Sequence, residues 1–329
     1  EALARLAALD EEDGRIEEAA ARWQAILADD IDHDLSWVAL ARLRAEPGAR
    51  EPSSISQAPA ATLDSGVGVS LSRFEITGEI GRGAFATVYR VRDRALDLPL
   101  ALKVLHPTRS ASEASARRRD QAFFSEARKV AALRHRGVVA FYDIDERART
   151  LVMELVTGGT MRDRLRTPGP ADARRWSPDT LVLFARRLLD ALGYVHAHGL
   201  VHGDLSPRNV LLRAPDDPVL IDLGNTRLPD HPDAPAGTPL YLAPEQFQGA
   251  PIAPSTDLFG AGAILFEAAF GRALRTRDDL MAGRTIPDPL PALQTGGDLP
   301  PGLRTLLAAL LQPAPEARTE ATKAALAQL

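Results

Sequence analysis

From Leu71 onward the apolar residues of this 329-residue chain fall first into short runs and only later into long ones, and that order constrains the fold more than any other feature. β-like runs stand at 73–80, 86–92, 98–105, 139–144 and 149–155, each strand length. Helical periodicity dominates afterwards, at 178–198, 255–270 and 301–311. A small sheet ahead of a mostly helical body predicts an α+β domain of two lobes, about 71–156 and about 157–329.

Residues 1–46 read differently. Apolar positions recur at helical spacing through Leu3, Leu6 and Ala7, then Ile16, Ala19, Ala20, Trp23 and Leu27, then Leu35, Val38, Ala39 and Leu43. Leu3, Leu6, Ala7, Gly14, Ala19, Trp23 and Leu27 resemble the helix positions of a tetratricopeptide repeat, an α-helical hairpin; a plain acidic three-helix segment is the alternative. A repeat of this kind cannot bury its faces alone, so the resemblance implies the end of a longer array and a protein partner for it. Residues 47–70 have the Pro, Ser, Ala and Gly content of a linker. The chain opens on Glu1 without a Met, as expected of a piece of a longer protein.

The formal net charge of −5 gives no basic field for nucleic acid. The absence of cysteine excludes disulfides and thiolate-bound metals. No apolar run reaches membrane-spanning length, since the longest, Leu258 to Phe270, is short and carries Glu267; with no signal peptide visible, the expected location is the cytoplasm.

Several short stretches carry chemistry. At 80–88, "IGRGAFATV" sets Gly81 and Gly83 between strands, where the backbone either closes over phosphates or turns an ordinary hairpin. Lys103 stands in the apolar strand Ala101–Leu105, so its charge needs a partner, and Glu126 on the helical run 121–134 is the candidate. Of 39 basic residues only Lys103, Lys129 and Lys323 are lysines. Where Arg is the habitual cation, a compact ammonium in a strand points to a phosphate contact. At 202–212, "HGDLSPRNVLL" places Asp204 and Asn209 on a loop that leads into a strand. That pair either orients a hydroxyl and holds a metal, or simply makes a turn before a hairpin.

Taken together and in order, these stretches resemble a eukaryotic-type Ser/Thr protein kinase of the bacterial kind, over 71–329. The resemblance implies a bilobal kinase fold that binds ATP and Mg²⁺ and phosphorylates a protein substrate. It makes Gly81 and Gly83 the phosphate loop, with Ala86 where a third glycine usually stands, and pairs Lys103 with Glu126. It makes Asp204 the catalytic base and Asn209 and Asp222 the magnesium ligands, the latter in Asp222-Leu223-Gly224 where the family has D-F-G. Val88, Ala101 and Leu211 would enclose adenine, and the hinge would run from Met153 through Glu154, Leu155 and Val156. Gly237-Thr238-Pro239-Leu240-Tyr241-Leu242-Ala243-Pro244-Glu245 matches the end of the activation segment. Asp257 matches the helix residue that braces the catalytic loop, and Arg318 the partner of Glu245.

There are departures. Gly203 replaces the Arg that docks an activation-loop phosphate, Ser206 replaces a Lys two residues after the catalytic Asp, and Arg208 is expected to supply that charge. The alternatives are a pseudokinase scaffold that acts through the helical repeat and a small-molecule phosphotransferase, because H-G-D-x-x-x-x-N also occurs in aminoglycoside and choline kinases. Those families lack the G-T-P-x-Y-x-A-P-E segment present here.

Overall fold

The computed structural model describes residues 18–19, 22, 73–83, 86–106, 121, 123–125, 127–166, 176–223, 239–283, 289–295 and 299–327. The chain divides into two compact units, one of Glu1–Gly68 with Leu228–Ala234 and one of Val69–Arg227 with Pro235–Leu329. In the first, the described residues Glu18, Ala19 and Arg22 are helical; the rest of the repeat expected over 1–46, and the linker expected over 47–70, lie outside the described residues.

The second unit begins with a five-stranded antiparallel sheet of β1 (Phe74–Arg82), β2 (Ala86–Asp93), β3 (Leu98–Leu105), β4 (Phe141–Asp145) and β5 (Thr150–Glu154), in the order β1-β2-β3-β5-β4. Successive side chains of β3 point to opposite faces. Leu100 and Leu102 pack on one face with Phe74, Val91 and Val152. Ala101 lies on the other, with Met153 opposite it and Val139 and Val219 beyond. Lys103 follows Ala101 on that second face, opposite Val88.

β4 starts later than its apolar run, because the run's first residues pair elsewhere. Val139 donates its N–H to the carbonyl of Leu220 at 3.0 Å, and Val138 bridges the same residue. Leu220 ends the hairpin of β6 (Val210–Ala214) and β7 (Asp217–Leu220), so this run joins the sheet to the helical body.

The body is built on two long helices, which follow a short one, α1 (Met161–Leu165). α2 (Pro178–Ala197) starts at Ser177, whose hydroxyl accepts from the Thr180 N–H at 3.3 Å, with Pro178 at the first position. It buries a single stripe that includes Leu181, Phe184, Ala185, Leu188, Leu192 and Val195. After α3 (Pro244–Phe247) comes α4 (Pro254–Phe270), buried almost all round, which is why its sequence lacks a polar face. Gly271 ends α4 with φ 68°, a left-handed cap. α5 (Arg277–Met281), α6 (Leu290–Thr295), α7 (Pro301–Leu310) and α8 (Pro315–Leu326) complete the body.

Two glycines let α4 act as the platform beneath the site. A Cβ at Gly260 would stand 3.0 Å from the carbonyl oxygen of Leu205, and one at Gly262 would stand 2.8 Å from the Leu310 Cβ. The loop at 202–209 therefore rests directly on the backbone of α4. Among the described residues no helix is long and apolar enough to cross a membrane.

Candidate active site

The loop 202–209 takes its shape from one buried carboxylate. Asp257, in the first turn of α4, is 1% exposed. Its Oδ2 accepts from the His202 N–H at 2.8 Å and from His196 Nε2 at 2.7 Å, and its Oδ1 accepts from the Gly203 N–H at 2.8 Å. Buried backbone donors need partners, and a charged acceptor makes these bonds stronger than neutral ones. Gly203 has φ 76°, a conformation that costs a residue with a Cβ about 1–2 kcal/mol. The glycine that departs from the usual Arg is thus the residue that takes this backbone without strain.

Beyond Gly203, Asn209 sits on the 3₁₀ turn Pro207–Asn209 and donates its amide to the Asp204 carbonyl at 2.8 Å and to Asp204 Oδ2 at 3.2 Å. Both partners are acceptors, which assigns the nitrogen to that side and leaves Oδ1 facing away. Ser206, where a Lys is usual, is 1% exposed, and its hydroxyl has no hydrogen-bond partner among the described residues. Arg208 lies on the same 3₁₀ turn, partly buried.

His202 carries the loop to the next segment, donating from Nε2 to the Ile221 carbonyl at 3.0 Å. Asp222 follows with φ 54°, a rare conformation for a residue with a side chain and one that clusters at functional sites. Its Oδ1 accepts from Lys103 Nζ at 2.5 Å, across 119 residues of sequence. Burial works against charge on Asp222, yet the Lys103 ammonium prevails, with help from His202, and holds the carboxyl below its usual range. The Lys103 side chain is 15% exposed and the Asp222 side chain 50%, so the pair opens to solvent from the carboxylate side. Phe123 lies under the ammonium, with its ring centroid 6.0 Å away. Glu126, the partner expected from the sequence, lies outside the described residues; among the described residues Lys103 pairs with Asp222.

Beside this pair is an apolar patch shared by the sheet and the β6–β7 hairpin. Ala101, Met153, Val139 and Val219 form its buried part, with Val88, Val156 and Leu211 partly exposed around them. Glu154 commits its N–H to the Ala140 carbonyl at 2.9 Å and its carboxylate to Arg213, which donates from Nη2 at 2.5 Å and from Nε at 3.1 Å. Sequence reasoning missed Arg213, since nothing local to it signals a partner 59 residues away. Gly81 and Gly83 keep ordinary φ, and a Cβ at Gly81 would meet nothing within 4 Å. Folding of the chain alone does not require a glycine at 81, whereas close approach of a ligand to the backbone would.

The far wall is the segment from Pro239 to Ala243, which precedes α3. The Tyr241 hydroxyl donates to Glu267 Oε2 at 2.6 Å. Gln246 accepts from the Ala243 N–H at 2.8 Å and donates to the Gly203 carbonyl at 3.1 Å, tying the wall to the loop. Glu245 takes two bonds from the fully buried Arg318, at 2.7 and 3.1 Å. Gly224, Gly237 and Thr238 lie outside the described residues. Gln246 was also missed, because a glutamine in a short helix carries no pattern of its own.

Chemically, the site sets a cation and a half-exposed carboxylate beside an apolar patch, with a second carboxylate and an amide oxygen on the adjoining loop. The model of the family described as "Protein kinase domain" matches residues 74–328. The serine/threonine-protein kinase PknL of Mycobacterium tuberculosis is 35% identical over 218 residues, covering 64% of this chain and 52% of that protein. The DNA damage-responsive serine/threonine-protein kinase RqkA of Deinococcus radiodurans is 37% identical over 213 residues, covering 60% of this chain and 30% of that protein. The serine/threonine-protein kinase PkaA of Streptomyces coelicolor is 32% identical over 252 residues, covering 67% of this chain and 45% of that protein. The chain thus spans about half or less of the length of these relatives.

Proposed function

The chain belongs to the protein kinase domain family, and from that premise we propose that it transfers the γ-phosphoryl group of ATP to a serine or threonine hydroxyl of a protein substrate. The observation that carries this reading is the Lys103–Asp222 pair at 2.5 Å beside the apolar patch. Such a pair would set a phosphate-binding cation and a metal-binding carboxylate at the edge of an apolar surface, the kind on which a purine packs.

In this reading Val88, Ala101, Met153, Val156 and Leu211 enclose the base, Glu154 belongs to the hinge beside it, and Gly81 and Gly83 cover the phosphates. Lys103 holds the phosphates as a point charge. Glu126 is the proposed helix partner of Lys103. Asp204 orients the acceptor hydroxyl. Its oxygen bonds to the γ-phosphorus, the bond to the β-phosphate oxygen breaks, ADP departs, and the hydroxyl proton passes to the Asp204 carboxylate. Arg208 supplies positive charge near the transferred group, in place of the Lys that Ser206 replaces.

The oxygens of Asn209 and Asp222 suit Mg²⁺, a hard cation that takes one or two protein ligands and completes its shell with phosphate and water. Asn209 fits because its amide nitrogen is turned to Asp204, and Asp222 fits because its carboxylate stays charged and half open. When bound, the ion would neutralise charge on the phosphates.

Control is proposed to be independent of activation-loop phosphorylation. Gly203 removes the guanidinium that would pair with a phosphate, and the stretch Pro229 to Ala236 offers no hydroxyl acceptor. Regulation would then fall to the linker or to a partner of residues 1–46. Incubation with ATP and a generic protein substrate, set against ATP alone, tests the function. Phosphate on serine or threonine of the added protein is the expected result, and ATP affinity without transfer would favour a scaffold.

A further inference from the structure

Arg275, in the turn between α4 and α5, is a buried cation that this mechanism does not use. Its side chain is 1% exposed. The guanidinium carbon lies 5.1 Å from the ring centroid of Phe247 in α3 and 5.1 Å from that of Phe259 in α4. Nη1 donates to the Leu242 carbonyl at 2.5 Å and also faces the Leu240 carbonyl at 3.4 Å. Arg318 stacks on the same Phe259 ring at 5.0 Å, with its donors spent on Glu245 and on the carbonyls of Ser255, Gln312 and Pro313. The two arginines thus divide the work, Arg318 holding α3 and Arg275 holding the chain just before it.

Burying a guanidinium is expensive. Burial pushes Arg275 down to about 10, with Glu245 and Asp279 pulling the other way, so it stays charged at neutral pH. An apolar side chain of similar length would fill the space between two phenylalanines without that penalty. What it would lack is a donor for Leu240 and Leu242, residues that belong to neither helix nor strand. Those residues matter because of what they adjoin. Leu242 and Tyr241 line a small cavity together with Asp204, Leu205 and Asp257, so this segment is the wall next to the proposed catalytic base.

We propose that Arg275 is a positioning residue for the protein substrate, fixing Leu240–Leu242 beside Asp204 so that the acceptor segment meets a preformed surface. The inference rests on the kinase reading above. It assigns Arg275 no contact with ATP, which makes the expected defect selective.

The test uses the full chain with Arg275→Met. The KM for the protein substrate should rise about tenfold or more, with ATP affinity unchanged within about twofold. Amide hydrogen exchange in a peptide spanning 239–247 should quicken by about tenfold, with the sheet unaffected. An unchanged substrate KM, or equal losses for both substrates, overturns the proposal. Should the Met variant fail to fold, Arg275→Lys keeps the charge between the rings but loses the planar fork. It should show the same selective rise in KM, and wild-type behaviour from it overturns the proposal. If wild-type protein transfers no phosphate, the kinase reading fails; the exchange measurement, which needs no catalysis, still decides whether Arg275 holds this segment. Exchange in Arg275→Met equal to wild type would then reject it.

Discussion

Asp257→Asn changes one atom and should show how much of the active-site loop depends on a single carboxylate. An amide offers one acceptor oxygen where the carboxylate has two. The better orientation keeps the oxygen toward His202 and His196 and turns the NH₂ toward the Gly203 N–H, which the native Oδ1 accepts at 2.8 Å. That buried N–H is then orphaned, at about 1–3 kcal/mol. The two surviving bonds fall from charged to neutral strength, about 1 kcal/mol each. Burial of a neutral amide in place of a charge offsets part of the loss, so the net destabilisation should be about 2–4 kcal/mol. For a domain of this size that lowers the Tm by roughly 5–15 °C. Because Gly203 precedes Asp204, a displacement of order 1 Å should reach the acceptor hydroxyl and lower kcat by about 10²-fold. ATP affinity should change far less, since Lys103 and Asp222 are untouched. Differential scanning calorimetry and steady-state kinetics read both effects. A Tm within about 2 °C of wild type together with kcat within threefold would refute the reasoning, whichever way the amide turns.

Lys103→Met should abolish phosphotransfer with the fold largely intact, because the loss is charge at the phosphates and not core volume; a rate above roughly a tenth of wild type would contradict it, since a lost phosphate clamp should cost at least about 10²-fold. Asp222→Asn should lose magnesium-dependent nucleotide binding, whereas Asp204→Asn should bind Mg-ATP and lose turnover; calorimetric titration giving equal losses of affinity argues against that division of roles. Phosphatase treatment should leave the rate nearly unchanged, and mass spectrometry of the autophosphorylated chain should find sites outside 225–237, with Ser53, Ser54 and Ser56 as candidates. A drop of tenfold or more traced to Thr226 or Thr238 would show the account of control to be wrong.

The sheet and the long helices were legible because their periods are local. The β3 run and the α4 pattern agree with the structure to within a residue, and the late start of β4 reflects Val139 giving its N–H to Leu220, a choice made in three dimensions. The loop residues were legible for a similar reason, since Asp204 and Asn209 stand close in sequence and share a hydrogen bond. What sequence cannot decide is which distant group answers a charge. The Lys103–Asp222 bond spans 119 residues of sequence, and nothing local to either residue announces it. The arginines were hardest. One of only three lysines in an arginine-rich chain stands out, but Arg275 and Arg213 are individuals in a crowd, and only burial or a partner distinguishes them.

Gly203, Gln246 and Arg275 answer one physical problem together. The segment from Pro239 to Ala243 lies beside the loop and makes neither helix nor strand, so side chains must hold it. A phosphate on a neighbouring residue is one way to supply that order, but it requires a guanidinium to receive it. At position 203 such a side chain would have to leave a backbone with φ 76°, against a steric cost of about 1–2 kcal/mol. Glycine removes both the strain and the receptor. Order then has to come from groups that are always present: Gln246, which bonds Ala243 and Gly203 at once, Arg275, which bonds Leu242, and Glu267, which accepts from Tyr241. None of these bonds needs a phosphate on the loop, so they can hold this wall without modification. Under the phosphorylation-independent control proposed above, a switch would act on something other than this wall, and the nucleotide side, where Lys103 holds Asp222, is the other part of the site whose order could be changed.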